Sequence, residues 1–240
     1  MIFLKINFIH DFYYSKEEEF EKIQKELSQK ISLRNNFDLE HLRYIAGVDL
    51  AYWEQNGKQY GVCSIAVIDY KTKRTLKKVS SFGEVTVPYV AGYLAFRELP
   101  LFLSALQKLS YEPDLFIFDG NGYLHYNNMG IATHASFFID KPTIGVAKSY
   151  LKVKNTLYDE PVEHFGAHTD IIIDGKVYGR ALRTRKDAKP VFVSCGNFID
   201  IDTATKIVLE MTGRESRVPI PTRIADLETH VLRKELDDCL

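Results

Sequence analysis

Two aspartates lie where a strand pattern would place them among apolar neighbours. Asp49 lies within YIAGVDLAY, and Asp119 follows the apolar run of DLFIFDGNG. An ionised carboxylate in such a setting is costly to desolvate unless a cation or a hydrogen-bond network compensates. Mg²⁺ prefers oxygen ligands and keeps several waters, so carboxylates presented from rigid elements suit it. We therefore predict that Asp49 and Asp119 share a bound metal ion.

The stretches around the two aspartates predict a strand-rich core. Strand-like runs cover 44–52, 61–70 and 75–87, and the short turns between them favour antiparallel pairing. A helix follows and leads into the apolar strand 114–119. The order βββαβ, with one acid on the first strand and another at the end of the fourth, is that of ribonuclease H-like nucleases. By this analogy, which fixes no substrate, we predict an α/β fold with a ribonuclease H-like mixed sheet flanked by helices.

The rest of the chain predicts further elements of the same domain. A helical N-terminal extension covers about 15–32, and helices within about 203–236 close the chain. Between the core and the closing helices, the pattern predicts a helix at 130–139 and strands at 143–147, 170–174, 176–184 and 191–195. No repeat, low-complexity tract or linker divides the sequence, so we predict one domain over residues 1–240.

Composition is that of an ordinary globular chain, with 45% hydrophobic and 26% charged residues among 240. The longest apolar stretches have strand length, well short of the roughly 20 residues that a membrane helix needs. No export signal is visible. The three cysteines form no CxxC pair, which argues against a disulfide framework or a zinc knuckle. We therefore expect a cytoplasmic monomer without a membrane partner.

A net charge of −1 means that any surface for nucleic acid must be locally basic. Arg180, Arg183 and Arg185 crowd one segment, and Lys148 follows a glycine-containing stretch. Such groups can neutralise phosphates, and we predict that these four bind them. Solvated surface charge is the alternative for each cluster taken alone.

Four longer motifs occur in a characteristic order and spacing: VPYVAGYLAFRELP, FDGNGYLHYNNMGIATH, KPTIGVAKSYL and PIPTRIAD. Together they closely resemble the endonuclease V family, repair nucleases that act on deaminated adenine, as deoxyinosine, in DNA. The resemblance runs from about Ala46 to Asp226, most of the chain. The sequence departs from the family pattern at Asn121, where a histidine often sits, and at Ala91, where many relatives carry a second proline.

The resemblance implies a metal-dependent catalytic site. Asp49 and Asp119 would bind Mg²⁺, or alternatively Mn²⁺, so that a water is positioned and deprotonated for in-line attack at phosphorus. Glu98 resembles the family's third acid and would bind the metal directly or through water. Asp226 resembles a further polar group near the site. On residue pattern alone, Glu98 is equally consistent with a solvent-facing helix residue, and Asp226 with an ion pair on its own helix.

Two basic side chains complete the catalytic set that the resemblance implies. Lys148 matches a lysine near the reacting phosphate, where a cation offsets charge in the transition state. His125 matches the histidine after the DG motif, and we expect it to contact phosphate or to act as an acid or base. A histidine considered alone is more often a hydrogen-bonded structural residue.

Lesion recognition requires a base to leave the stack, because its distinguishing edge is hidden in a duplex. The resemblance implies a wedge that fills the vacated space, formed by Pro88, Tyr89, Val90 and Ala91. It also implies a base pocket, formed by Gly120, Gly122, Gly130 and Leu151. Tyr89 supplies the stacking ring of the wedge, and the glycines allow backbone groups to approach a base edge closely.

The family resemblance thus predicts an endodeoxyribonuclease that recognises deoxyinosine in single- or double-stranded DNA. It would cut the second phosphodiester bond on the 3′ side and leave a 3′-hydroxyl and a 5′-phosphate. Two alternatives stay open at the level of sequence. One is an endoribonuclease specific for inosine, since no sensor of the 2′-hydroxyl is evident. The other is a noncatalytic nucleic-acid-binding module with the same fold.

Overall fold

The computed structural model describes residues 4–12 and 16–237, and within them eight strands form one mixed sheet. The strands are β1 (Tyr44–Gln55), β2 (Lys58–Asp69), β3 (Thr75–Glu84), β4 (Leu115–Asp119), β5 (Thr143–Ala147), β6 (His168–Ile173), β7 (Lys176–Leu182) and β8 (Val191–Asn197). Their spatial order is β3-β2-β1-β4-β5-β8-β7-β6. Strand β4 runs parallel to β1 and β5, and the other neighbours are antiparallel. The predicted ribonuclease H-like mixed sheet is confirmed.

The hairpin between β1 and β2 follows directly from its two central residues. Asn56 and Gly57 have φ values of +53° and +72°. A two-residue hairpin turn of this handedness favours Asn-Gly, since both positions need a positive φ that few other residues adopt. The turn fixes the register that pairs Asp49 with Ser64 across the hairpin.

Five α-helices lie within the described residues. They are α1 (Glu17–Ser28), α2 (Leu94–Leu106), α3 (Ile131–Ile139), α4 (Ile201–Glu210) and α5 (Ile220–Asp237). Side chains of α2 and α3 pack with one buried apolar cluster, and side chains of α4 and α5 pack with another. Consecutive residues of β1 alternate between the clusters, Ile45 in one and Ala46 in the other, because strand side chains point to opposite faces. Helices α2 to α5 therefore form two layers with the sheet between them.

Some boundaries differ from the sequence-based prediction. The third strand ends at Glu84 rather than at residue 87, and the N-terminal helix begins at Glu17. Ser15, the first residue of the predicted helical extension, lies outside the described residues. Helix α2 continues past Pro100, which contributes no backbone N–H to it. No helix within residues 4–12 and 16–237 is long and apolar enough to cross a membrane.

Helix α5 lies unusually close to the central strand at Gly47. A Cβ atom at this position would lie 2.0 Å from the carbonyl carbon of Pro221 and 2.3 Å from its oxygen. No side chain fits into that space, so glycine is required by the close backbone contact rather than by a turn. The contact fixes the start of α5, which carries Asp226, against the middle of the sheet.

Candidate metal site and base pocket

Three carboxylates converge at the centre of the sheet. Asp49 comes from β1 and Asp119 from the end of β4, and these parallel strands pair directly, with Val48 opposite Phe118. Asp226 reaches the same point from α5. One oxygen of each aspartate lies within 4.8 Å of the others. An all-carboxylate donor set with this spacing fits a hard divalent cation.

Asp49 is the most buried member of the triad, with 8% of its surface exposed. Burial and, to a lesser degree, the neighbouring charge of Asp119 raise the pKa of Asp49 to about 7. A hydrogen bond from the Thr229 hydroxyl to Asp49 Oδ2, at 2.7 Å, acts in the opposite direction and favours the ionised form. The site thus concentrates negative charge where water is scarce, which a bound cation would relieve.

Lys148 bridges the other two carboxylates. Its Nζ lies 2.5 Å from Asp119 Oδ2 and 2.8 Å from Asp226 Oδ1. Partial burial lowers the pKa of Lys148, but the hydrogen bonds to these two carboxylates outweigh it and raise the pKa overall. The side chain is therefore a cation at neutral pH, half-exposed at the mouth of the acidic cluster.

Glu98 lies beside the triad without belonging to it. Helix α2 holds this carboxyl in a buried position, and its net pKa is raised to about 8, chiefly by desolvation. The hydroxyl of Tyr52 and the charge of Arg97 offset part of the increase, whereas the charge of Asp49 adds to it. Glu98 is not a solvent-facing helix residue, and its role as a metal ligand stays a prediction.

The raised pKa of Glu98 predicts how the metal-free protein responds to pH. A carboxyl whose pKa is higher in the folded state than in the unfolded state contributes less stability as pH rises from about 4.5 through 8. Glu98→Gln removes this titration and keeps the shape. We expect the variant to gain thermal stability relative to the unaltered protein between pH 5 and pH 9, measured by unfolding scans in a chelator.

Glu54→Gln is the matched control, because Glu54 is exposed on β1. Its thermal midpoint should follow that of the unaltered protein at every pH. A constant difference between Glu98→Gln and the unaltered protein across this pH range would contradict a titrating, buried Glu98.

A cavity of about 180 Å³ opens next to the acidic cluster. Among the residues predicted to form the base pocket, Gly120, Gly130 and Leu151 line it. Gly120 follows Asp119 directly, so consecutive residues of one loop belong to the triad and to the cavity wall. A Cβ on Gly130 would lie 2.3 Å from the Asn121 carbonyl oxygen, which explains why this wall needs glycine.

The predicted wedge lies at the rim of this cavity, in the segment between β3 and α2. Tyr89 and Ala91 line the opening, and 69% of the Tyr89 surface is exposed. Pro88 is exposed and Val90 is half-buried. A tyrosine buried in the core, the routine interpretation of such a residue, is excluded here. The ring is free to contact a ligand at the pocket mouth.

Gly122 is not among the residues that line the cavity, and its predicted place in the base pocket stays a prediction. A Cβ on Gly122 would lie 2.2 Å from the Cys195 carbonyl oxygen, and its N–H donates to Ser194 Oγ at 2.9 Å. The residue instead packs the loop tightly against β8. Asn121, the departure from the family pattern, does line the cavity.

His125 also lines the cavity and is buried. Burial lowers the pKa of His125 to about 4, so the imidazole is neutral at neutral pH. Its Nδ1 has no hydrogen-bond partner within the described part of the chain. A cationic phosphate contact is therefore not favoured, while the acid or base role stays a prediction.

The prediction that Arg180 and Arg183 bind phosphate does not agree with their contacts inside the protein. Arg180 is buried and pairs with Asp170 and Asp202, each at 2.7 Å. Arg183 is also buried and donates to the carboxylate of Glu160 and to backbone carbonyls. Both guanidinium groups thus connect parts of the fold and are not available to phosphate.

Arg185 is more exposed than the other two arginines, but it also contacts residues of the same chain. It donates to the Arg214 carbonyl at 2.6 Å and contacts the Asp187 carboxylate at 3.3 Å. Both contacts lie at the surface, where an ion pair contributes little. Of the predicted phosphate ligands, Lys148 is the one that the structure places at the acidic cluster.

Several residues of the site were not predicted from sequence. Thr229 supports Asp49, and Tyr126, Met129 and Ile131 complete the cavity wall. The signal for Thr229 is its position three residues after Asp226, which places both on one face of a helix. The cavity residues carry no such signal, because apolar side chains near a glycine loop are indistinguishable from core residues in a sequence.

Comparison with known proteins assigns the chain to a family. Residues 25–227 match the family profile described as Endonuclease V. Endonuclease V of Bacillus subtilis (strain 168) is 57% identical over 230 residues, which are 96% of this chain and 97% of that protein. The crystal structure of the B. subtilis protein superposes with a TM-score of 0.96 at 56% identity and covers 98% of this chain and 100% of that one.

A more distant relative was solved with nucleic acid. Endonuclease V of Ciona intestinalis, in complex with a 24mer DNA containing an inosine followed by a ribo-adenosine, gives a TM-score of 0.81 at 28% identity. The match covers 91% of this chain and 98% of that one. With the family profile matching most of its length, this chain belongs to the Endonuclease V family.

Proposed function

We propose that this protein is a repair endonuclease that recognises deoxyinosine in DNA and cuts the second phosphodiester bond on its 3′ side. The observation that carries the proposal is the junction of Asp119 and Gly120, where an acidic triad meets a cavity with an exposed aromatic rim. A triad alone would suit any metal-dependent nuclease. The adjoining cavity gives this one a place for an extruded base.

In the proposed reaction, Asp49, Asp119 and Asp226 hold Mg²⁺, with Mn²⁺ as an alternative. The bound ion would lower the pKa of an attacking water and stabilise the leaving 3′-oxygen. Glu98, whose buried carboxyl interacts electrostatically with Asp49, would hold an ion directly or through water. Cleavage of this kind leaves a 3′-hydroxyl and a 5′-phosphate.

Lys148 supplies the positive charge nearest the reacting phosphate. Its ammonium contacts two of the three carboxylates, so it can stay beside them while a phosphate approaches. A fixed cation at this point stabilises the additional negative charge of the transition state more than that of the ground state. Neutral His125 lies in the cavity wall, from which it can donate or accept one hydrogen bond.

The offset between lesion and cut has a physical basis in this arrangement. The cavity holds the base and Tyr89 fills the space that the base leaves, while the triad acts on backbone a short distance along the strand. Gly120 and Gly130 keep the wall close to the base edge without a side chain between them.

The decisive experiment uses an end-labelled DNA strand that contains one deoxyinosine. We expect a single break in the presence of Mg²⁺, at the second phosphodiester 3′ to the lesion, and none in a chelator. A strand with adenosine at that position is the control. A break at random positions, or one that does not need a divalent ion, would overturn the proposal.

A second candidate is an endoribonuclease specific for inosine in RNA. The Ciona complex contains a ribonucleotide directly after the inosine, which makes this alternative worth a direct test. Matched DNA and RNA strands with one inosine, assayed in parallel at the same Mg²⁺ concentration, separate the two. Binding to both without metal-dependent nicking would instead favour a noncatalytic module.

Tyr89→Ala is expected to weaken selection for inosine. The ring is exposed at the cavity rim, and stacking of a base on an aromatic side chain contributes about 1–3 kcal/mol. We expect the ratio of cutting rates, inosine strand over adenosine strand, to fall roughly tenfold. Tyr89→Phe keeps the ring and should keep the ratio. An unchanged ratio in the alanine variant would remove Tyr89 from the wedge role.

A further inference from the structure

A second cleft adjoins Lys148, separate from the base cavity. We name it the Lys148 cleft and define it by Lys148, Ser149, Tyr150, Tyr158, Lys189 and Phe192. It has a volume of about 360 Å³. Leu151, the next residue of the same segment after Tyr150, lines the base cavity instead. The short segment 148–151 therefore borders both spaces.

The Lys148 cleft is positively charged. Lys189 is exposed, and its ammonium makes no ion pair within the described residues. Ser149 is also exposed and offers a hydroxyl. The one acidic side chain of the lining, Glu160, pairs with the Arg183 guanidinium at 2.8 Å, so its charge is offset. Lys148 is likewise paired with Asp119 and Asp226, so the unpaired charge of the cleft within the described residues is that of Lys189.

One wall of the Lys148 cleft is aromatic. Tyr150, Tyr158 and Phe192 pack against one another with ring centroids 4.9–5.3 Å apart. Phe192 is buried, whereas both tyrosines are half-buried and present part of their rings to the cleft. Aromatic rings next to free cations are the combination with which proteins bind single-stranded nucleic acid.

Arg217 holds the two sides of the Lys148 cleft together. Its guanidinium donates to the Lys148 carbonyl at 3.0 Å and to the Pro190 carbonyl at 2.7 Å. It also reaches the Lys189 carbonyl at 3.3 Å. One side chain thereby connects the two backbone segments that carry Lys148 and Lys189, which fixes the two sides of the cleft relative to each other.

We propose that the Lys148 cleft binds the nucleic-acid strand on the 3′ side of the cut bond, with Lys189 on a phosphate and a base against the tyrosines. The direction follows from the order of the sites: base cavity, acidic triad, Lys148, cleft. A strand whose lesion lies in the cavity and whose 3′ phosphate lies at the triad continues past Lys148 into this cleft. The inference rests on the proposed function.

The test compares single DNA strands with one inosine that end either one or six nucleotides beyond the expected cut. Binding is measured in a chelator, so no strand is cut. The unaltered protein should bind the longer strand about fivefold more tightly or better. Lys189→Ala should lose most of this additional affinity for the longer strand. The slope of log affinity against log salt concentration should also become shallower by about 0.7, which is the contribution of one phosphate contact on a single strand.

Lys77→Ala is the matched control, since it removes the same charge from an exposed position on β3, an edge strand separated from β8 by four strands. This variant should still bind the longer strand more tightly than the shorter one, with the same dependence of affinity on salt as the unaltered protein. Tyr158→Ala should reduce the gain and Tyr158→Phe should retain it, which separates stacking from charge. Lys189 is exposed, so its variant should fold normally, as a thermal scan would establish.

The outcomes separate the two proposals. If the unaltered protein cuts at inosine but gains nothing from the longer strand, or if Lys189→Ala gains as much as the unaltered protein, the role of the Lys148 cleft is overturned and the proposed function stands. If the unaltered protein neither binds nor cuts the inosine strands, the proposed function is overturned and the inference with it.

Discussion

Asp119→Ala is expected to abolish strand cutting while binding to inosine-containing DNA persists. Asp119 contributes an oxygen to the triad and pairs with Lys148, so its removal deprives the site of a candidate metal ligand and of one of the two carboxylates that hold the lysine. Loss of metal-assisted stabilisation is expected to slow the single-turnover rate by about a thousandfold or more, equivalent to roughly 4 kcal/mol. Asp49→Ala should have a similar effect.

The measurement pairs a rate with a binding constant. Single-turnover cutting in Mg²⁺ reports the chemistry, and a gel shift in chelator reports recognition of the lesion. Glu54→Ala removes an exposed carboxylate from the same strand as Asp49 and should change neither quantity. Mg²⁺-dependent turnover that survives in Asp119→Ala or Asp49→Ala would count against the assignment of the metal site.

The central acids were predictable from sequence because local patterns fix their positions. The apolar runs of β1 and β4 identify two strands, and the βββαβ order makes them parallel neighbours. Adjacent parallel strands bring Asp49 and Asp119 together regardless of the rest of the chain. The Asn56-Gly57 turn likewise encodes the hairpin between β1 and β2. Local sequence patterns and the order of the elements are therefore sufficient to place these two acids.

Contributions from distant segments were harder to predict. Asp226 and Thr229 lie on α5, some 180 positions after Asp49 in the chain, and helical spacing shows only that they share a face. Their arrival at the triad depends on how α5 docks on the sheet. A family resemblance placed Asp226 near the site, but it ranked Glu98 as the third metal ligand, whereas Asp226 is the carboxylate that joins the triad.

Burial of charge was the other property that sequence could not supply. Arg180 and Arg183 are close in sequence to exposed lysines, and all of these residues look alike in a composition count. The acidic partners that neutralise the two arginines come from β6, α4 and the segment before β6. A charged cluster therefore indicates a nucleic-acid surface only once such partners are known to be absent, as they are for Lys189 among the described residues.

Gly47→Ala is expected to destabilise the fold and to disrupt the site together. The added Cβ would lie 2.0 Å from the Pro221 carbonyl carbon, a backbone atom that cannot move without shifting the start of α5. Overpacking of this kind costs about 2 kcal/mol or more, which corresponds to a fall in thermal midpoint of roughly 4–8 °C for a chain of this size. Displacement of α5 would also withdraw Asp226 from the triad and Thr229 from Asp49, so cutting should fall in the folded fraction as well.

Gly83→Ala provides the matched control for this effect. Gly83 is also a strand glycine, but a Cβ there would meet only Leu101 Cδ2, at an ordinary 3.7 Å. The control should keep its thermal midpoint and its cutting rate, because alanine suits a strand at least as well as glycine does. If Gly47→Ala had the same thermal midpoint and cutting rate as Gly83→Ala, the contact at Gly47 would not fix the position of α5. The placement of Asp226 at the triad would then need another explanation. If Gly47→Ala had a lower thermal midpoint but cut normally at low temperature, the contact would matter for stability and not for catalysis, because the triad would then tolerate movement of α5.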